Sequence, residues 1–354
     1  MATIFYGVQG EGLGHATRSK TIIEHLKKKN DVYVFCGGRA YQYLVKHYNK
    51  VIRITSPHIF YHKNRASNFR TFLLNIIKIP HFIASYLSVR RIKKEKVPDL
   101  IITDFEPITN YFGLLHKIPT VSIDNQHVIS KSEIDFPNSM KDQYIKTKLI
   151  IKLMIWKADR YFMMNFFFPP VKEKNCYIVR PIIRQEIQRL RPKRKNFILV
   201  YQTSFTDTKL VPALIATGEK MVVYGYPKPG SAGNVRFREF NESEFFHDLK
   251  SCKAVISNGG QSLMCEAIYL KKPILSVPIK NQFEQYVNAK YLERLGYGEY
   301  HETIDSEMIN AFLTRLGSYE KNLGKVKMIG NAELFSLLDK TIKEIVAGRK
   351  KHHA

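Results

Sequence analysis

Residues 255–298 read VISNGGQSLMCEAIYLKKPILSVPIKNQFEQYVNAKYLERLGYG. An apolar run stops at Ser257-Asn258-Gly259-Gly260, and a helical pattern starts at once with Gln261 and Ser262. A second apolar run, PILSVPI (273–279), follows that helix, and a further helical stretch follows the polar turn after it. Strand, glycine turn, helix, strand is the repeating unit of a parallel sheet covered by helices. The turn also has chemical content. The first N–H groups of a helix lack intrahelical partners and carry a partial positive charge, so a helix starting at Gln261 can hold a phosphate. Glu266, one turn further in, can accept two hydroxyl hydrogen bonds from a ribose diol. Gln282, Glu284 and Gln285 stand after the second strand, where polar side chains can read sugar hydroxyls; a solvated helix start is the plainer alternative.

The same alternation extends in both directions. Downstream of residue 195, NFILVYQ (196–202), KMVVYGY (220–226), VRFREF (235–240) and KAVISNGG (253–260) read as strands, with helices over 207–217, 242–252 and 261–271. Upstream, TIFYGV (3–8), DVYVFCGG (31–38), DLIITDF (99–105) and PTVSIDN (119–125) read as strands, with helices over 16–29 and 39–48. The expected fold class is α/β: two tandem Rossmann-like, doubly wound parallel-sheet domains facing a cleft. Residues 1–185 form the first domain, 186–195 an Arg- and Pro-rich linker, and 196–324 the second; a helix over 325–347 packs back on the first. In such sheets ligands bind beyond the carboxyl ends of the strands.

The first of those edges carries GVQGEGLGHATRS (7–19). Its glycines permit a tight turn into a helix, although the spacing is neither G-x-G-x-x-G nor a P-loop. His15 sits at the tip of this loop and can act as a general base near neutral pH. Asp104, in IITDFEP, ends a strand on the same edge, where a carboxylate can accept the other imidazole N–H. The plainer readings are a surface histidine and a turn-capping Asp before Pro107. DFE also mimics a metal-binding D-x-D.

Charge is unevenly spread. The chain of 354 residues has a net charge of +25, of which +21 falls in residues 1–195, while 196–319 balance at 13 basic and 13 acidic residues. Residues 60–97 hold nine Lys and Arg against one acid, interleaved with Phe, Leu, Ile and Tyr, and 141–168 is a second such stretch. This composition suits an interfacial helix on an anionic lipid surface; core helices with a solvated basic face are the alternative. Nucleic acid is not expected, because no RNA- or zinc-binding pattern accompanies the charge. The four cysteines show no metal-ligand spacing and read as free thiols. There is no signal-peptide pattern and no apolar run of membrane-span length.

Residues 235–298 resemble the donor-site signature of GT-B glycosyltransferases, and are most similar to glycosyltransferase family 28, which includes the peptidoglycan GlcNAc transferase. GEGLGHATRS resembles the glycine loop of that group, and IITDFEP the strand that carries a histidine-orienting Asp in some relatives. The resemblance implies an inverting, metal-independent transferase moving a sugar from a nucleotide-sugar, UDP-linked, to a lipid-linked or cell-envelope polymer acceptor, in teichoic acid or glycolipid synthesis. It implies that Glu266 binds the ribose and that Gly259, Gly260, Gln261 and Ser262 hold the diphosphate. The main chain near Phe240 contacts the base, and Glu284 and Gln285 the transferred sugar. Gly12, Gly14 and His15 line the acceptor side, with His15 as base oriented by Asp104. No cofactor is implied beyond the nucleotide-sugar substrate, and the location implied is cytoplasmic, peripheral on the inner face of the plasma membrane. Two departures stand out. The turn YQTSFTDT lacks the glycines usual there, leaving Thr203, Ser204 and Thr206 as phosphate donors. Position 274 is Ile where retaining relatives have a second glutamate. A hydrolysing sugar-nucleotide epimerase on the same fold and a non-catalytic membrane- or polyanion-binding protein are the alternatives.

Overall fold

A computed structural model of the chain describes residues 1–58, 61–62, 65–66, 68–202, 210–226, 228–327 and 330–353. Its contacts form two compact units, each an α/β layer structure. The first unit opens with strands β1 (Thr3–Val8), β2 (Asp31–Cys36) and β3 (Val51–Arg53), and the short antiparallel hairpin after them in the chain, β4 (Tyr61–His62) and β5 (Arg65–Ala66), groups with the second unit. The first unit continues with β6 (Leu100–Asp104), β7 (Thr120–Asp124), β8 (Arg160–Met164) and β9 (Cys176–Val179). The seven-stranded sheet has the order β3-β2-β1-β6-β7-β8-β9, all parallel. The order reverses between β1 and β6, which makes the carboxyl ends of those two strands the ligand-binding crevice of this fold type.

Strand β1 shows why the run TIFYGV is apolar throughout rather than alternating. Ile4, Tyr6 and Val8 join one core with Ile22 and Leu26, while Phe5 joins a second core with Val89, Ile108 and Phe112. Both faces of a parallel sheet are covered, so neither face of the strand can be polar. The covering helices are α1 (Leu13–Leu26), α2 (Gly38–Leu44), α3 (Asn68–Ile77), α4 (Ile79–Glu95), α5 (Pro107–Leu115), α6 (His127–Lys131) and α7 (Lys141–Met154). The last helix of the chain, Ala332–His353, belongs to this unit as well: Leu334, Leu338 and Ile342 enter the core of Ile4 and Tyr6, and Asp339 meets His25 at 2.8 Å.

The second unit orders its strands β12-β13-β11-β10-β14-β15-β16, parallel except at the β12–β13 edge. These are β10 (Ile198–Tyr201), β11 (Met221–Tyr224), β12 (Gly230–Ala232), β13 (Val235–Arg238), β14 (Ala254–Ser257), β15 (Ile274–Ser276) and β16 (Gly298–Tyr300). Its helices are α8 (Gln185–Gln188), α9 (Leu210–Ala216), α10 (Glu242–Ser251), α11 (Gln261–Tyr269), α12 (Phe283–Arg294), α13 (Ser306–Thr314) and α14 (Leu316–Gly324). Here the order reverses between β10 and β14, so Ser257-Asn258-Gly259-Gly260 leaves the sheet at the switch point.

Several boundaries differ from the sequence expectation. The strands stop at Tyr201, Tyr224, Arg238, Ser257 and Ser276, because the residues after them leave the sheet edge as loops. Helix α1 starts at Leu13, not Ala16, so His15 lies in its first turn rather than at a loop tip. Gly12 supplies the extended N-cap (φ −111°, ψ 146°), and Gly14 is tolerated in a first turn whose N–H groups are unpaired in any case.

Candidate active site

In the first unit the switch point is filled by one hydrogen-bonded network. Asp104, the last residue of β6, is fully buried. Its Oδ1 lies 2.8 Å from His15 Nδ1 and accepts from an Arg18 terminal nitrogen at 2.5 Å. Its Oδ2 accepts from Arg18 Nε at 2.8 Å and from the Ser19 hydroxyl at 2.9 Å. The other Arg18 terminal nitrogen donates to Asn125 Oδ1 at 2.6 Å. Helical geometry explains the convergence: residues 15, 18 and 19 share a face at i, i+3 and i+4, and that face of α1 lies over the ends of β6 and β7. Burial disfavours the ionised carboxyl, but the Arg18 guanidinium, followed by His15, outweighs it and holds Asp104 well below the usual carboxylate range.

An ionised Asp104 fixes the tautomer of His15. Arg18 also approaches His15 Nδ1, at 2.8 Å, but the carboxylate is the stronger acceptor for an Nδ1–H. Nε2 is then left with its lone pair, and the ring is 16% exposed, so it can meet a substrate proton. Glu106, two residues beyond Asp104, does something else. Buried and serving as N-cap of α5, it accepts from the Ile108 and Thr109 N–H groups at 2.8 Å each and from the Thr109 hydroxyl at 2.6 Å. The D-x-D-like pattern is therefore split between a carboxylate that binds His15, Arg18 and Ser19 and a helix cap. Among the described residues no group of three or more His, Cys, Asp or Glu is arranged to hold a metal ion.

The opening glycines divide their roles. A Cβ at Gly10 would lie 2.4 Å from Ser56 Oγ and 2.7 Å from the Gly37 carbonyl, so Gly10 is required for close backbone packing between two loops. Gly12 has no such neighbour: its nearest atom would be 4.0 Å away. The absent side chain leaves the amino end of α1 open beside His15.

In the second unit, α11 begins after Gly260, an exposed N-cap that has no side chain to cap the helix and whose Cβ would meet nothing within 4 Å. Gly259 is left-handed (φ +88°), with a virtual Cβ 2.9 Å from the Gln285 carbonyl and 3.2 Å from Ser276 Oγ, so only glycine fits. Asn288 Nδ2 donates to the Gly259 carbonyl at 3.1 Å and Asn258 Nδ2 to the Val277 carbonyl at 3.2 Å, which pins the turn. Beneath it the buried hydroxyls of Ser257 and Ser276 have no partner among the described residues. Ser262 and Glu266 share a helix face at i, i+4, although Glu266 is only 4% exposed. Gln285 has a structural duty, since its Oε1 accepts from the Ile279 N–H at 2.9 Å. Phe240 is 41% exposed and lies edge-on to Tyr201 and Tyr224, giving an aromatic surface near the carboxyl ends of β10 and β11. Thr203, Ser204 and Thr206 lie outside the described residues.

An open helix amino end at one switch point and an imidazole–carboxylate pair at the other are what the glycosyltransferase resemblance requires, and comparison with known proteins agrees. The sequence profile described as "Glycosyl transferase family 1" matches residues 2–317. The chain belongs to that family. An uncharacterised glycosyltransferase of Methanosarcina mazei is 24% identical over 96% of this chain and 97% of its own length. Another from Methanosarcina acetivorans is 26% identical over 59% of this chain but only 61% of its own length. A Bacillus cereus enzyme named UDP-N-acetylglucosamine–N-acetylmuramyl-(pentapeptide) pyrophosphoryl-undecaprenol N-acetylglucosamine transferase 3 is 28% identical over 34% of this chain and 36% of its own length. Among solved structures, the glycotransferase of kitacinnamycin superposes with a TM-score of 0.69 at 13% identity, over 96% of this chain and 98% of that one. A Phytolacca americana enzyme complexed with UDP-2fluoro-glucose and pterostilbene gives 0.68 at 12% identity, over 97% and 99%. The fold of this family 1 glycosyltransferase is thus GT-B, and the family assignment favours a transferase over the epimerase alternative.

In this glycosyltransferase the structure brings together His15 and Asp104, and separately Gly259, Gly260, Gln261 and Ser262. The sequence reading missed Arg18, Ser19 and Asn125. Their signal was present: Arg18 and Ser19 stand three and four residues after His15 in a helical pattern, which places them on the face of the imidazole. What it lacked was the strand order, which sets Asp104 and Asn125 side by side at the ends of β6 and β7.

Proposed function

We propose that this family 1 glycosyltransferase moves a sugar from a UDP-linked donor to a hydroxyl of a lipid-linked or cell-envelope polymer acceptor, with inversion and without a resident cofactor. The observation that carries the reading is the 2.8 Å contact between His15 Nδ1 and a buried, ionised Asp104. His15 Nε2 takes the proton of the acceptor hydroxyl, and the resulting imidazolium is stabilised by Asp104. The acceptor oxygen forms a bond to the anomeric carbon as the bond to the donor diphosphate breaks on the opposite face. The departing negative charge is held by the main-chain N–H groups at the start of α11. Glu266 binds the ribose, Phe240 and its adjoining main chain the base, and Glu284 with the remaining amide of Gln285 the sugar. Gly12 and Gly14 leave room for the acceptor. The UDP assignment is supported by the names of the Bacillus cereus and Phytolacca americana proteins.

The acceptor class is supported by the surface of the first unit. Ile76, Ile77, Ile79, Ile83 and Leu87 of α3 and α4 are exposed, as are Ile145, Leu149 and Leu153 of α7. In α7 these apolar residues alternate with lysines, and in α4 they precede the cluster Arg90, Arg91, Lys93 and Lys94, the composition of a surface that rests on anionic lipid at the cytoplasmic face. Among the described residues no helix is long and apolar enough to cross a membrane. The test is a product assay with a panel of UDP-sugars and lipid-linked acceptors, run on the wild type and His15→Ala. The expected result is transfer in the wild type, none above background in His15→Ala, and unchanged UDP affinity in both. Equal turnover in His15→Ala would remove the base assignment, and an epimer or free sugar formed without acceptor would replace the transferase reading.

A further inference from the structure

The first unit contains a second imidazole–carboxylate pair that the proposed transfer does not use. His127, at the start of α6, is 2% exposed. Its Nδ1 lies 2.7 Å from Asp124 Oδ2, and its main-chain N–H donates to Asp124 Oδ1 at 2.9 Å. Asp124 is held further by the Ser122 hydroxyl at 2.5 Å. The imidazole Nε2 has no partner among the described residues, and His127 lines an open cavity of about 290 Å³ between α6, α7 and β8.

The rest of the wall is cationic and aromatic. Lys131, Lys148 and Lys152 line it together with Trp156 and Tyr161. Lys131 is paired with Glu173 at 2.8 Å and lies over the Tyr161 ring. Lys148 and Lys152 have no carboxylate partner among the described residues; their ammonium groups rest over the rings of Tyr144 and Trp156, at 5.2 and 4.7 Å. Lys148, Lys152 and His127 all line this one small cavity, and two lysines without a carboxylate partner suit it to an anion with several oxygens. Because Nδ1 is taken by Asp124, Nε2 is the ring nitrogen left for a ligand. The cavity volume is at the lower edge of the range for small-molecule sites, enough for a headgroup rather than a whole lipid. Leu149 lines the cavity and is also exposed, and Leu153 is exposed one turn further along α7, so the apolar stripe of α7 runs to the mouth.

We infer that the cavity between α6, α7 and β8 binds the phosphate headgroup of an anionic lipid, with Lys148 and Lys152 as its donors and His127 on the same wall. The inference deepens the membrane-surface reading of α7 and rests on it. Trp156, half-exposed on the wall, is the chain's single tryptophan, so its emission reports on this site alone. The full chain is titrated with short-chain phosphatidic acid below its critical micelle concentration, then with short-chain phosphatidylcholine and with inorganic phosphate. A saturable change in Trp156 emission is expected with phosphatidic acid, at least ten-fold weaker binding with the other two, and at least ten-fold loss of phosphatidic acid affinity in Lys148→Ala/Lys152→Ala. The charge-matched double variant Lys141→Ala/Lys146→Ala, on the same helix but outside the cavity, keeps the wild-type affinity. Equal losses in the two double variants, or no saturable change, would overturn the site. An equal response to inorganic phosphate would overturn the lipid assignment and leave a free-phosphate site. Binding of the monomeric lipid without sedimentation on anionic vesicles would sink the membrane-surface reading while sparing the cavity.

Discussion

Asp104→Asn removes one charge and keeps the shape of the most connected side chain at the first switch point. The hydrogen-bond network decides how the amide will sit. If its NH₂ replaced Oδ1, it would oppose both His15 Nδ1–H and an Arg18 donor. In place of Oδ2 it opposes only Arg18 Nε–H, because the Ser19 hydroxyl can turn and accept. The amide oxygen therefore stays on His15 and preserves the tautomer. What is lost is the charge opposite the imidazolium formed during transfer. Coulomb's law gives roughly 4 kcal/mol for unit charges about 4 Å apart at an effective dielectric of about 20, and each ~1.4 kcal/mol is a decade in rate. Because His15 is partly exposed, the expected fall in kcat is about two to three decades rather than the complete loss expected of His15→Ala.

The same substitution leaves the Arg18 guanidinium buried without its counter-charge, which costs about 3–5 kcal/mol when one partner of such a pair is removed. That loss is confined to the first unit, where Trp156 reports unfolding. The assay is turnover under saturating UDP-sugar and acceptor, with urea unfolding of the same preparation followed by Trp156 emission and UDP affinity by calorimetry. The expected pattern is a lower urea midpoint, a lower kcat and an unchanged UDP dissociation constant. A folded Asp104→Asn protein with more than a tenth of wild-type kcat would refute the argument that this carboxylate supports a histidine base.

Two further outcomes test the surroundings. Gly259→Ala places a Cβ 2.9 Å from a carbonyl oxygen in a left-handed backbone, a strain of about 1–3 kcal/mol, so UDP binding by calorimetry should weaken about ten-fold or more; unchanged affinity would separate this turn from the donor site. Burial pushes the Glu106 carboxyl up to about 7 against the pull of the Thr109 and Ile108 donors, so the folded state holds that proton more tightly than the unfolded chain. Its stabilising effect is complete below about pH 4.3 and is lost as pH rises through about 7, about 3 kcal/mol in all; urea midpoints from pH 5 to 8 should fall in the wild type and flatten in Glu106→Gln, and parallel slopes would contradict the assignment.

Much of this molecule was legible in its residues because parallel sheets write their strands plainly. TIFYGV, DLIITD and AVIS are apolar on both faces, and the glycines or polar residues after each mark where the chain leaves the sheet. His15 and Asp104 were legible as a pair because both residue types stand at that edge. Arg18 was not, since a helical arginine in a basic chain looks like solvent-facing charge until strand order sets a buried acid opposite it. Glu106 misled for the converse reason: a carboxylate beside another carboxylate suggests a shared ligand, whereas Pro107 at the first position of α5 makes Glu106 its N-cap. Gln285 was read as a sugar contact, and only the fold shows that the Ile279 N–H has claimed its oxygen.

The two switch points show how one structural unit can be finished in two ways. Helices α1 and α11 both follow a glycine N-cap, both lack an acidic residue in the first turn, and both lack a side-chain cap. Each therefore begins with an uncompensated positive end. In the first unit the strand beside β1 ends in Asp104, and that carboxylate collects His15, Arg18 and Ser19 from the opening turns of α1. The positive end is neutralised from within, and the result is an oriented imidazole. In the second unit the strand beside β14 ends in Ser276, whose buried hydroxyl is neutral and unpartnered among the described residues. The first turn of α11 presents Gln261, Ser262 and Leu263 and no cation for an internal acid to hold. Its positive end is therefore where an anion would gain from the helix dipole. Acid or hydroxyl at the end of the neighbouring strand thus separates a glycine turn whose helix presents an oriented imidazole from one whose helix begins with no carboxylate at that strand end.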